Sequence, residues 1–233
     1  MMKLFKTKLE LTLSSIMLAL YIIAIIIFSI LYFLDIIKSP KIEPLIGGGL
    51  VSLIAVFIQF IMQYQDFKNN EKLTKSGVVN FLERRDDKDY YEKIIKTTKE
   101  KLNLLFYTGK RFSEDFCQDF DGDNAIIEAL KRGVKIRLLL IDESLLPDDE
   151  KDNFRIAENN FKKIKSKYKD NFDYRYYKHI QTHNIFMNES SAIIGPYFHK
   201  KKSKYSNSIH FKSNSPYVTD FINFFETEWE ECT

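Results

Sequence analysis

The sequence predicts an α/β domain, a mixed sheet flanked by helices, preceded by two transmembrane helices. Three observations predict it. Leu11–Leu34 is a run of 24 residues without a charge, and Leu45–Met62 is a second apolar run of 18. From Gly77 onward, short apolar runs of strand length alternate with stretches of helical periodicity, the pattern of a sheet with helices on both faces. Near the C-terminal end, Gln181–Tyr197 (QTHNIFMNESSAIIGPY) reads as two strands joined by an Asn188-Glu189-Ser190 turn and closed by Gly195-Pro196.

The first run, at 1.5 Å of helix rise per residue, crosses a hydrocarbon core of about 30 Å. It is too long for the apolar region of a signal peptide, and no small-x-small cleavage site follows it. In the second run Gln59 is the one strongly polar member, and the connection, with Ser39-Pro40 and Glu43-Pro44, leaves room only for a tight turn. Lys3, Lys6 and Lys8 precede the first span and Lys68, Lys72 and Lys75 follow the second, against Lys38 and Lys41 between them. That bias puts both termini on the cytoplasmic side of an inner membrane, with the lipid bilayer as a partner. The expected division is a hairpin over 1–64, a juxtamembrane linker over 65–76 and a cytosolic domain over 77–233. Gly48, Ser52, Ala55 and Gln59 fall on one helical face. Small residues let membrane helices approach closely and a Gln hydrogen-bonds across the contact, either onto the first span or between protomers.

In the cytosolic part, Gln65–Ser76 continues the second helix to a break at Gly77, and Val78–Leu82 is a short strand. Tyr91, Ile94, Ile95 and Thr98 give Asp87–Lys101 helical periodicity. Leu102–Tyr107 is an apolar strand, after which Ser113 is expected to cap a short helix through Phe120. Asp123 or Asn124 caps Ala125–Arg132, which Gly133 terminates. Val134–Ile141 is the strongest strand pattern; Ser144–Glu150 reads as a loop and Asn153–Lys169 as a helix with Phe154, Ala157, Phe161 and Ile164 on one face. Phe172–Tyr177 is a strand, His199–Ser208 a lysine-rich loop, Ile209–Lys212 a strand and Tyr217–Glu231 a closing helix.

The formal charge is +3 over 233 residues. Residues 1–63 hold five lysines and three carboxylates, leaving 30 cations against 29 anions in the rest. A domain that neutral lacks the phosphate-neutralising surplus of a non-specific nucleic-acid binder. Two cysteines, Cys117 and Cys232, without metal-like spacing fit a reducing compartment. No metal or cofactor is expected: Asp119, Asp121 and Asp123 alternate like a calcium loop but lack its sixth-position Gly and twelfth-position Glu.

The succession of a helix, then ALKRGVKIRLLLID, a second helix, a strand and a polar hairpin ending in Gly resembles one half of the phospholipase D-like fold over roughly 77–231. The signature of that family is His-x-Lys-x4-Asp-x6-Gly-Ser. Counted back from Gly195, it falls on Gln181-x-His183-x4-Asn188-x6-Gly195-Pro196. The register holds, but Gln181 stands at the nucleophile, His183 at the lysine, Asn188 at the aspartate and Pro196 at the serine. An amide forms no phospho-enzyme bond, so the resemblance implies the fold and a pocket without the family's covalent catalysis. It also implies a homodimer or higher homo-oligomer, since members with one half-motif build their site from two copies.

Other patterns bear on a ligand. His199-x-Lys201 and His210-x-Lys212 share the first spacing, with His199 in a solvated basic loop and His210 on a strand within reach of a pocket. Thr108-Gly109-Lys110-Arg111 lies between a strand and a helix, where backbone amides and two cations can hold a phosphate; the alternative is an ordinary turn with exposed charges. Tyr174, Tyr176 and Tyr177 form either a stacking platform or a sheet edge. The ligand-binding candidates are therefore Gln181, His183, Asn188, His210, Lys212, Thr108, Lys110 and Arg111. The leading expectation is a non-catalytic, membrane-anchored sensor or effector. It binds a phosphate-bearing small molecule such as a nucleotide and signals to the hairpin, as in the bacterial membrane effectors of anti-phage defence that it resembles. A tethered phosphodiesterase or nuclease using His183 with His210, and a structural oligomerisation module, stand as alternatives.

Overall fold

The computed structural model describes residues 13–34, 42–118, 124–180, 182–198, 201 and 203–232. The chain divides into two compact units, Met1–Leu73 and Thr74–Thr233. Gln181, His199, the Asp119–Asp121–Asp123 alternation and the lysines at 3, 6, 8, 38 and 41 lie outside the described residues.

The first unit is built on helix α1, Leu13–Phe33, and helix α2, Glu43–Lys75. Both are long and apolar enough to cross a membrane, with mean hydropathy of 2.8 and 2.3 over their apolar segments. They run antiparallel: the ring of Phe28 meets Gly49, that of Tyr32 meets Gly47, and Tyr21 contacts Phe60 at 5.4 Å between centroids. Ile46, Leu50 and Phe60 are buried in the unit. The face read as a packing surface behaves otherwise. Gly48, Ser52, Ala55 and Gln59 are all exposed, and a Cβ at Gly48 would meet nothing within 4 Å. Packing of that face onto the first span is therefore overturned: the neighbouring glycines, 47 and 49, take the close approach.

In the second unit a seven-stranded mixed sheet is flanked by helices. Its strands are β1 (Val78–Leu82), β2 (Lys101–Phe106), β3 (Lys135–Ile141), β4 (Phe172–Tyr177), β5 (His183–Asn188), β6 (Ser191–Pro196) and β7 (Ser208–Lys212), in the order β1-β7-β6-β5-β2-β3-β4. β2, β3 and β4 run parallel, and every other pairing is antiparallel. The helices are α3 (Lys88–Thr97), α4 (Lys110–Phe116), α5 (Ala125–Lys131), α6 (Asp148–Lys167) and α7 (Pro216–Glu231).

Two helix starts differ from expectation. Ser113 caps nothing: α4 begins three residues earlier behind Gly109, whose φ of +67° only glycine takes without strain, and Ser113 is buried mid-helix. A Cβ on Gly109 would also stand 2.9 Å from Leu140 Cδ2 and 3.1 Å from Phe161. The helix read as starting at Asn153 starts at Asp148, because Asp148, Asp149 and Glu150 complement the helix dipole in its first turn. Asn124 caps α5 by accepting from the Ile126 amide, and Asp87 caps α3 by accepting from Tyr90.

Strand alternation divides the core. Leu104, Leu138 and Phe186 share the face that carries α3–α6, with Phe161 of α6 against Phe172 and Tyr174, and Tyr91 of α3 against Phe186. Asn103, Arg137, Arg175, Met187 and His183 share the other face, under α7. There Arg137 donates Nε to Asn103 Oδ1 at 3.0 Å and grips Glu226 through both terminal nitrogens at 2.7 and 2.6 Å. Its guanidinium also lies over Phe225 and Trp229. This pair fixes α7 on the sheet and holds the Glu226 carboxyl below the usual range.

Candidate ligand-binding cleft

In open α/β sheets ligands bind beyond the carboxyl ends of the strands, near where the strand order changes direction. Here β2 is that point, lying between antiparallel β5 and parallel β3. Beyond it opens a cleft of about 550 Å³. Phe106, Ile185, Phe186 and Ile193 form its apolar lining, and Tyr91, Tyr107, Tyr197, Asn184 and Ser208 border it. Five cations (Arg85, Lys110, Arg111, Lys201, Lys204) and three carboxylates (Glu114, Asp115, Glu150) also line it, a positive surplus.

Those cations are held differently. Arg111 donates Nε to Asp115 at 2.6 Å, an i,i+4 pair that satisfies it within α4. Lys110 donates Nζ to Asn153 Oδ1 at 2.6 Å and stands 3.8 Å from Glu114. The amide of Lys110 is taken up by Thr108 Oγ1 at 3.4 Å. Arg85 is half-buried; its Nη2 donates to the Pro196 carbonyl and, at 3.1 Å, to that of Asn207. Burial pulls the Arg85 pKa down, partly offset by Tyr91, and pushes the Tyr91 hydroxyl up to about 12. A positive charge in such a setting attracts an anion more strongly than one in water.

The seven described candidate residues do not form one site. Thr108, Lys110 and Arg111 line the cleft. His183 is on the α7 face, where Thr182 Oγ1 lies 2.7 Å from its Nδ1 and its ring packs on Phe221 and Phe224; it borders a separate cavity of about 410 Å³. His210 is on the opposite face, since it pairs with Ile193 whereas His183 pairs with Pro196. It is buried, with Nδ1 2.6 Å from the Tyr90 hydroxyl. The two-histidine pair considered for an enzyme is thus not assembled within this chain. Burial lowers the pKa of each, the charge of His179 adding to the effect at His183.

Asn188 serves the hairpin turn. Its Oδ1 accepts from Ser190 N, Ser190 Oγ and Ser191 N at 2.7–3.1 Å, and its Nδ2 donates to Thr98 Oγ1 at 2.9 Å. Lys212, opposite Ser191, is exposed at that same end of the sheet, away from the cleft. Neither lines the cleft, because antiparallel pairing puts Asn188 beside Leu102, at the start of β2 rather than its end. Sequence reasoning missed Arg85, Tyr107, Tyr197, Asn184, Ser208 and Glu150. The available signal was Gly195, where a Cβ would lie 2.6 Å from Arg85 Nη2 and from the Asn207 carbonyl.

No family model and no curated protein matches the chain. Among solved structures, it is similar to TrmBL2, described as an archaeal chromatin protein with a novel mode of DNA binding, at 14% identity and a TM-score of 0.47, covering 80% of this chain and 69% of that one. It is similar to Nuc from Salmonella typhimurium, described as a phospholipase D family member, at 12% identity and a TM-score of 0.44, covering 62% of this chain and 88% of that one. It is also similar to NucT from Helicobacter pylori, at 13% identity and a TM-score of 0.45, covering 66% and 96%. At such identities and scores these likenesses carry no argument about chemistry. What stands is the architecture of the chain itself: a seven-stranded mixed α/β sheet flanked by helices, behind two helices apolar enough to cross a membrane.

Proposed function

We propose that the chain is a membrane-anchored binding protein whose α/β domain takes a phosphate-bearing small molecule in the 550 Å³ cleft and performs no covalent chemistry on it. The observation that carries this reading is the gathering of Arg85, Lys110, Lys201 and Lys204 around one cleft whose described lining contains neither histidine nor cysteine. Cations there supply binding, while the histidine nucleophile of the phospholipase D-like route has no counterpart in the described lining.

The rest of the reading follows from chain order. The two apolar helices anchor the protein in the inner membrane with both termini cytoplasmic, and ligand occupancy is passed to them through 65–76. Copies associate through the outward face of Gly48, Ser52, Ala55 and Gln59, where a Gln amide facing lipid gains most from a partner. In a bacterial cell such an arrangement suits an effector that perturbs the membrane on ligand binding, as in anti-phage defence.

The test uses the full chain in detergent micelles with pyrophosphate as probe. Binding is expected, weakened about tenfold by Lys204→Ala and by Lys110→Ala as charge-assisted contacts are lost, and weakened further by added salt. Absence of binding overturns the reading in favour of a structural module. Turnover of bis(p-nitrophenyl) phosphate, abolished by Lys110→Ala, overturns it in favour of an enzyme.

A further inference from the structure

Tyr107 follows β2 and Tyr197 follows β6, and their rings stack at 4.6 Å between centroids with 30° between planes. Both are partly exposed and both line the cleft. Burial raises each hydroxyl's pKa, so both phenols stay neutral at physiological pH, and the negative charge of Glu150 adds to the effect at each. Glu150 itself lines the cleft from the first turn of α6. On the other flank, Ser208 begins β7, and Arg85 binds the carbonyl of Asn207 next to it. The Arg85 amide donates to the Lys204 carbonyl at 3.0 Å, which brings the second cation to the same flank. Arg85 Nη2 also donates to the carbonyl of Pro196, the residue before Tyr197, so the cationic flank adjoins the stack across neighbouring strands β6 and β7. The cleft therefore offers a neutral aromatic stack with a carboxylate on one flank and cations on the other.

We infer that the cleft is a nucleotide site, in which an amino-bearing base stacks on the Tyr107–Tyr197 pair with its donor edge toward Glu150 and the phosphate meets Arg85 and Lys204. This rests on the phosphate-binding reading above and adds what that reading leaves open, the group attached to the phosphate. A carboxylate accepts from the exocyclic amine of adenine, cytosine or guanine, and finds no such amine on uracil. A stacked tyrosine surface favours any base over a bare sugar.

The experiment is calorimetric titration of the full chain in detergent micelles with adenosine 5′-monophosphate, uridine 5′-monophosphate and ribose 5-phosphate. Adenosine monophosphate is expected to bind about tenfold or more tighter than ribose 5-phosphate, as base stacking on an aromatic side chain implies. Tyr197→Ala removes that advantage and Tyr197→Phe keeps it, with an unchanged melting temperature as the check on folding. Glu150→Gln narrows the gap between the adenine and uracil nucleotides. If ribose 5-phosphate binds as tightly as adenosine monophosphate, the base-reading inference falls and the phosphate reading stands. If no phosphate compound binds, both fall. Should Glu150→Gln leave the gap unchanged, the donor-edge assignment is overturned.

Discussion

The guanidinium of Arg85 lies against Gly195, with Nη2 only 2.6 Å from where a Cβ on that glycine would stand. The contact ties the chain after β1 to β6 and the start of β7, and it places a half-buried positive charge at the cleft. Gly195→Ala puts a methyl group into Arg85 and the Asn207 carbonyl at once. It is expected to destabilise the domain by about 1–3 kcal/mol, as overpacking does, and to weaken pyrophosphate binding. Chemical denaturation and titration of the same variant check both effects.

Asn188 holds the hairpin turn and does not line the cleft. Asn188→Ala removes the acceptor for Ser190 and Ser191 and the donor to Thr98. A loss of about 1–3 kcal/mol in stability is expected, because buried partners are left unsatisfied, with ligand affinity unchanged at temperatures where the variant is folded. Affinity falling with stability intact would return Asn188 to the binding set.

Glu226 and Arg137 form the joint between α7 and the sheet. Glu226→Gln is expected to cost about 1–2 kcal/mol, between the values for exposed and buried pairs, because Glu226 remains partly solvated. The folded-state pKa of Glu226 is depressed below 4.5, so the pair's contribution is complete above that value and is lost as pH falls through the folded pKa. Denaturation midpoints between pH 6 and pH 3 should therefore converge for the wild type and the variant.

The histidines give opposite pH signatures. Burial depresses His210 below 6.5, so its share of stability is present above 6.5 and lost as pH falls from there toward the folded pKa. At His179 burial acts downward and is the largest single effect, but the hydrogen bonds to Glu228 and the Ile180 carbonyl together with the charge of Glu228 outweigh it and the pKa rises; that stabilisation is full below 6.5 and lost as pH rises through the folded value. His210→Gln should flatten the decline of melting temperature between pH 7 and pH 5, and His179→Gln should steepen it.

In the apolar hairpin, adjacent glycines have opposite surroundings. A side chain at 49 meets Phe28 at 3.0 Å, whereas one at 48 meets nothing within 4 Å. Gly49→Leu is expected to loosen the packing of α1 on α2, read as faster proteolysis between them. Gly48→Leu is expected to leave that packing intact and to reduce cross-linked dimer in micelles. Equal dimer yields for wild type and Gly48→Leu would remove this face as the contact between copies.

Much of the architecture was legible because it is written in local periodicity. Charge-free runs, period-2 strands such as Val134–Ile141, and the breaks at Gly77 and Gly133 mark their elements without knowledge of neighbours. Helix starts were less legible where the deciding feature was a glycine at positive φ, as at Gly109, or a cluster of first-turn acids, as at Asp148.

The candidate site divides along the same line. Sequence by itself determined that Gln181, His183 and Asn188 hold a phospholipase D-like spacing without its chemistry, and that Thr108, Lys110 and Arg111 follow a strand and precede a helix. Which of these residues meet was decided only by the tertiary structure. Register and alternation send His183 to the α7 face and His210 to the other, and antiparallel pairing carries Asn188 to the far end of β2. Arg85 is 110 residues from Gly195 along the chain, and only the sheet order β1-β7-β6 brings them together. Spacing along one strand is local and survives in the sequence, while the cleft is made by strands meeting across a sheet.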